Sequence, residues 1–211
     1  ESEEIRLINQ AERLFDAYPD SVITTLDSIP LPEEMSPRLI ARWCMLYARA
    51  ADKIEDEMPY TNQLEIALKY YQKKKMREEE AEIGLYLGRS YVEDKEYEKA
   101  MRTYSDALKV ALAIKDYNRA GYICSYMGDL YEVDLRYILA AEKYKESGKY
   151  FHLANNTTSY VRAFVNEGRS YMSVDSNYLA LASLKQAEVI MDSLNVENVK
   201  TYVYNGLGNI Y

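Results

Sequence analysis

Apolar residues recur along this chain at helical spacing. Between Glu3 and Tyr18 they are Ile5, Leu7, Ile8, Ala11, Leu14 and Phe15. Tyr18-Pro19-Asp20-Ser21 then breaks the first helix and caps a second, which runs to about Ile29 with Val22, Leu26 and Ile29 on one face. Pro30 to Met35 is a connection. Ser36-Pro37 is a start signal, an N-cap followed by proline at the first helical position.

From there on the pattern repeats itself. A Gly followed three residues later by a Tyr recurs as Gly88/Tyr91, Gly128/Tyr131, Gly168/Tyr171 and Gly208/Tyr211, a period of 40 residues without slippage. Four of the eight glycines stand in this one column, which extends back to Ala48 and Ala51. Another column reads Ala100, Ala140 and Ala180. Four residues later stand Leu64, Tyr104, Tyr144 and Leu184, and three later again Ala67, Ala107, Ser147 and Ala187. Offsets of four and seven share one helix face, so each unit holds two helices facing each other across stripes of small and aromatic residues. Small residues at Gly88 and Ala100 let the pair approach closely, with Tyr91 expected to fill the gap beside them. Turn signals such as Glu93-Asp94-Lys95 and Asn155-Asn156 separate the helices. Self-similarity at a fixed period of this size marks a repeat array.

The columns resemble the tetratricopeptide repeat (TPR) family, whose signature appears as Leu87-Gly88, Tyr91, Tyr97, Ala100, Tyr104 and Ala107, and again as Met127-Gly128, Tyr131, Tyr137, Ala140 and Tyr144. The resemblance implies an all-α fold, a right-handed α-α superhelix of about 11 helices. Residues 1–35 read as a divergent N-terminal helix pair. Residues 36–211 read as the array, with units at about 37–76, 77–116, 117–156 and 157–196 and a half-unit at 197–211. Three departures stand out. The period is 40 residues where the family commonly has 34, the family's terminal proline is absent, and Glu167 stands where Leu87, Met127 and Leu207 stand elsewhere, so that layer is expected to be distorted or to hide a carboxylate. The last helix, from about Val199 to Tyr211, lacks its partner, so the natural protein is expected to continue.

Composition narrows the function. The 211 residues are 48% hydrophobic and 28% charged, an ordinary globular mixture, and no run of about 18 apolar residues occurs. A net charge of −8 and a pI near 4.9 weigh against nucleic acid as a direct ligand. All five prolines precede residue 60, leaving the rest to uninterrupted helices. Cys44 and Cys124 lie two periods apart, beyond disulfide reach in stacked layers, and read as buried apolar residues.

Nothing in the sequence assembles a catalytic set. His152, the single histidine, stands near a helix end, where a cation complements the dipole. The glycines sit within helices, not in phosphate-binding loops, and no zinc ligand set or activated serine is visible. The reading is a non-enzyme without cofactor or metal. Lys73-Lys74-Lys75 followed by Glu78-Glu79-Glu80 matches the dipoles across a helix–helix turn. Asn155-Asn156-Thr157-Thr158 falls where a cap is due and is read as one, not as a glycosylation site. Most tyrosines fall in core columns.

The informative stripe lies on the first helix of each unit, one residue past the column glycine: Arg49, Arg89, Asp129, Arg169 and Asn209. Four residues earlier it reads Met45, Leu85, Ser125, Val165 and Asn205, and three earlier again Arg42, Glu82, Tyr122, Arg162 and Tyr202. The TPR resemblance implies that these positions line a concave groove that takes peptides or partner helices. The arginines beside apolar and aromatic side chains would suit an acidic segment with hydrophobic anchors. The candidate groove residues are Arg42, Met45, Arg49, Leu85, Arg89, Tyr122, Asp129, Arg162, Arg169, Tyr202, Asn205 and Asn209. The competing reading is that the arginines pair with carboxylates of neighbouring layers and bind nothing. The Lys/Asn clamp of chaperone-binding relatives is not reproduced.

The expected function is a protein- or peptide-binding scaffold. One alternative is self-association through the uncovered terminal helix as a homodimer. Another follows from the N-terminal Asp20-Ser21 to Ile29 stretch and the 40-residue repeats. These are similar to bacterial membrane-associated regulators with a TPR array outside the membrane, which would imply a sensor or regulatory segment of a larger membrane-bound transcriptional regulator, in an extracytoplasmic, lipid- or membrane-anchored place.

Overall fold

The computed structural model describes residues 2–30 and 32–210, apart from the side chain of Glu33. All regular structure in them is helical: α1 (Glu3–Leu14), α2 (Pro19–Asp27), α3 (Pro37–Ile54), α4 (Thr61–Lys74), α5 (Arg77–Glu93), α6 (Tyr97–Ala113), α7 (Tyr117–Val133), α8 (Tyr137–Leu153), α9 (Thr157–Met172), α10 (Asn177–Ser193) and α11 (Lys200–Gly208). Single 3₁₀ turns cover Pro32–Glu34 and Glu197–Val199. The chain forms two compact units, Glu1–Val110 and Ala111–Tyr211.

The helix ends follow a rule finer than the 40-residue one. Among the described residues, eight non-glycine residues have positive φ: Glu55, Lys75, Lys95, Lys115, Leu135, Asn155, Asp175 and Asn195, one every 20 residues. From Lys75 onward each stands just past a helix, its N–H returning to the carbonyl three residues back while the next N–H reaches the carbonyl five back. At Leu135 these bonds are 2.9 Å to Glu132 and 2.8 Å from Arg136 to Tyr131. This is the Schellman closure, which satisfies carbonyls the helix end leaves open. Asp116 and Asn156 then cap the next helices, accepting from the backbone of Arg119 at 2.9 Å and Ser159 at 3.1 Å. Ser36 makes no such side-chain bond; Pro37 alone sets the start of α3.

Within the N-terminal unit, successive helices pack on Ile8, Val22, Leu26, Ile40, Leu64, Ile83 and Tyr104, all sealed from solvent. Trp43 donates to the Leu26 carbonyl at 3.2 Å, and the Tyr71 hydroxyl to that of Ala41 at 3.1 Å. The glycine column has a steric cause, different from the expected one. A β-carbon on Gly88 would come within 2.2 Å of the Tyr104 ring, so Tyr104 of the second helix fills the space. Tyr91 instead sends its hydroxyl to Glu65.

The C-terminal unit repeats the arrangement, with Gly128 under Tyr144 and Gly168 under Leu184. At Gly208 a β-carbon would meet nothing within 4 Å, and Tyr211, the last tyrosine of the column, lies outside the described residues. Val161, Val165, Leu184, Met191 and Val203 form the core here. Glu167 hides its carboxylate in that layer without interrupting α9. It is 4% exposed, and burial raises its pKa against the pull of Lys145 and a hydrogen bond from Ser183. Both cysteines are free and buried, and burial pushes the Cys124 thiol up to about 12.

Candidate binding groove

The candidate positions fall on the first helices of the layers, and the two units treat them differently. In the N-terminal unit the arginines are held by carboxylates. Arg42 on α3 donates from Nε and Nη2 to Glu12 Oε1 on α1, at 3.2 and 2.7 Å, and from Nη2 to Asn9 at 2.9 Å. Arg49, two turns on, grips Glu82 of α5 with two bonds, Nε to Oε1 at 2.6 Å and Nη2 to Oε2 at 2.8 Å. Arg89 pairs with Asp52. The competing reading of the stripe therefore describes these three pairs, and they lend no support to a ligand carboxylate at the same atoms.

One supposed anchor is corrected: Leu85 is buried, at 8% exposure, as is Val165 in the same column at 0%, and both turn into the helix packing. Met45, also buried at 6%, still lines the cavity beside it, as Ser125 of that column does in the C-terminal unit. The neighbouring column lines cavities too, at Leu46, Tyr126 and Asn166. One residue is about 100° of helix, enough to move a column from groove to core.

In the C-terminal unit, α7, α9 and α11 build a groove of two adjoining cavities, about 550 and 470 Å³, sharing Asp129, Asn166 and Tyr202. The Tyr202 hydroxyl donates to Asn166 Oδ1 at 2.5 Å, and Arg169 Nη1 lies 3.4 Å from the same hydroxyl, its guanidinium 6.0 Å from the ring centroid. The Tyr144 hydroxyl donates to Asp129 at 2.5 Å. Although Asp129 as a residue is exposed, its carboxylate turns inward to the nearly sealed Tyr144. Burial raises its pKa, Tyr144's bond lowers it, and Glu132 adds a like-charge push upward. Tyr122 rests edge-on against Phe151 at 4.9 Å and lies 3.4 Å from Ser159 Oγ.

Arg162 is exposed, and among the described residues neither it nor Arg169 has a carboxylate partner. Six candidates thus meet in this groove: Tyr122, Asp129, Arg162, Arg169, Tyr202 and Asn209. Asn205 is exposed outside it. The sequence reading missed Asn166, Tyr144 and Glu132. Asn166 was within reach, since it stands four residues after Arg162 and three before Arg169, on the same face.

His152 lies tilted against Tyr160, with ring centroids 4.9 Å apart. Among the described residues no cluster of His, Cys, Asp or Glu could hold a metal ion, and no helix is long and apolar enough to cross a membrane.

No protein-family model and no curated protein matches this chain. Solved structures do. The apo form of RapI aligns with 96% of this chain and 75% of its own length at 12% identity, with a TM-score of 0.75. A putative kinesin light chain of Podosopora anserina with nearly identical TPR-like repeats is covered completely by 93% of this chain, at 13% identity and a TM-score of 0.67. PlcR of Bacillus thuringiensis, solved with the peptide PapR7 and DNA, aligns with 96% of this chain and 74% of its own at 15% identity, TM-score 0.56. Identities this low carry the fold and no more. The all-α class read from the columns holds, and the chain has the TPR-like helical repeat fold.

Proposed function

We propose that this chain is a protein- or peptide-binding scaffold whose ligand lies in the groove of α7, α9 and α11. The observation that carries the reading is the shared rim of Asp129, Asn166 and Tyr202, with Arg162 and Arg169 beside it making no ion pair among the described residues. Asn166 uses its oxygen for Tyr202, which leaves its amide N–H groups to donate to a ligand carbonyl. Asp129 offers an acceptor to a ligand N–H, the arginines offer forked donors, and Tyr122, Tyr126 and Phe151 supply apolar wall. Main-chain and side-chain groups of an extended segment present this mixture of needs. PlcR, of the same fold, was solved with a bound peptide, which supports the reading. It is a reading of binding, not of catalysis.

The test is selection of binders from a random-peptide library on the immobilised chain. Selected peptides are then titrated against wild type and an Arg162→Ala/Arg169→Ala variant of equal helicity and melting. Binding lost in the variant supports the groove. Binding equal in both places the ligand elsewhere, and an empty selection removes the peptide reading.

A further inference from the structure

We propose that the cavity of the N-terminal unit is a second binding site, chemically distinct from the groove above, and that it takes an acidic peptide segment carrying an apolar side chain. Along α3, Arg38, Arg42, Met45 and Arg49 stand at offsets of four, seven and eleven, one helix face about 16 Å long. Lys74, at the end of α4, reaches the same cavity of about 540 Å³. The lining so holds four cations against Glu12 and Glu79, with Glu82 bonded to Arg49 behind it, which leaves the site net positive in a protein whose net charge is −8. Local charge of the sign opposite to the whole chain selects an anionic partner.

The two central arginines are already fixed in place. Arg42 bonds Glu12 and Asn9 through Nε and Nη2, and Arg49 bonds Glu82 through the same atoms. Each keeps its Nη1 amino group without a bond to the described residues, held in orientation by the carboxylate behind it. A ligand carboxylate meeting such a group has little side-chain freedom left to freeze. Arg38 and Lys74 are exposed and make no ion pair among the described residues. The floor between these cations is apolar: Met45 is buried, Leu46 and Tyr70 are half-buried, and Met76 is 36% exposed. Inorganic phosphate has no use for such a floor. A segment with Glu or Asp on either side of an apolar residue uses both features, and the volume is that of an ordinary ligand cavity.

The test is fluorescence anisotropy with a labelled peptide of about 12 residues alternating Glu and Leu, beside Lys/Leu and Glu/Ser peptides of the same length. The variant is Arg38→Glu/Lys74→Glu, which touches no ion pair of the fold and is checked for unchanged melting. The Glu/Leu peptide is expected to bind wild type and to lose at least about tenfold in affinity, with a flatter salt dependence, on the reversed variant. The Lys/Leu peptide is expected not to bind, and Arg162→Ala/Arg169→Ala to change nothing. The proposal is overturned if the Glu/Leu peptide fails to bind or binds the reversed variant equally well. Equal binding of the Glu/Ser peptide, or competition by inorganic phosphate at similar concentration, would reduce the cavity to a plain anion site. Loss of binding in the Arg162/Arg169 variant would move the peptide to the C-terminal groove, leaving that reading intact and this one refuted.

Discussion

Leu135 sits where a helix ends and a left-handed residue is required, with φ of 56° and 71% of its surface exposed. An L-residue with a β-carbon in that region bears about 1–2 kcal/mol of strain, which glycine does not. Its side chain is too exposed for its removal to cost much burial. Against the relief stands the freedom that glycine adds to the unfolded chain, about 0.4–1 kcal/mol. Leu135→Gly is therefore expected to stabilise by about 0.5–1 kcal/mol, a rise of about 2–6 °C in melting temperature for a unit of this size. Leu135→Ala keeps the β-carbon and should give no gain, so the difference between the two variants isolates the backbone term. Urea melts followed by circular dichroism give the free energy. Hydrogen exchange at Leu135 and Arg136, whose N–H groups close the turn, gives a local readout that does not depend on the whole array unfolding in one step. If Leu135→Gly is no more stable than Leu135→Ala, the strain argument for these turns fails.

Gly88→Ala forces a β-carbon to within 2.2 Å of the sealed Tyr104 ring and is expected to cost about 2 kcal/mol in urea melts, whereas Gly208→Ala, with nothing within 4 Å, should be neutral or slightly stabilising. A loss at both positions would show that an effect shared by the column, and not the ring, fixes glycine there. Glu167 has a raised pKa in the folded state, so that state holds its proton more tightly than the unfolded one. The buried carboxylate costs stability at neutral pH, and the cost fades as pH falls through the raised value. Glu167→Gln should therefore melt higher than wild type at neutral pH, with the gap closing toward acid; a gap that is constant with pH would assign the effect to something other than ionisation. Arg49→Ala leaves Glu82, whose side chain is 12% exposed, without its bidentate partner and is expected to cost about 1–3 kcal/mol by chemical denaturation. The double change Arg49→Leu/Glu82→Leu should regain most of that, and a double variant as unstable as the single would refute the argument.

The repeat was legible because its cause is steric and recurs. Wherever a ring or a branched side chain from the second helix presses on the first, as Tyr104 does on Gly88 and Leu184 on Gly168, only glycine fits, and the demand leaves a mark every 40 residues. The 20-residue rule left none. Its left-handed positions are filled by Lys, Asn, Asp, Glu and Leu, since the turn fixes a backbone angle at modest cost and leaves the side chain to solvent. The groove was half legible for a third reason. Arg162 and Arg169 could be placed by periodicity, but the buried place of Leu85 and the lining place of Asn166 differ by one step of helix rotation, finer than column reasoning resolves.

Least legible were the partners. Glu12 and Asp52 stand one period apart but hold arginines of different columns, Arg42 and Arg89, and Glu82, which holds Arg49, stands in the column of Arg42, so no column announces these pairs. Yet these pairings decide what the two units can bind. At Arg42 and Arg49, carboxylates fix arginines that line one cavity with Met45, Leu46 and Tyr70. At Arg162 and Arg169, among the described residues no carboxylate answers, and the Tyr202 hydroxyl, itself bonded to Asn166, stands beside Arg169. A ruler that repeats without slippage thus carries two chemistries. The repeat specifies where a side chain stands, and the departures from it specify what that side chain can hold.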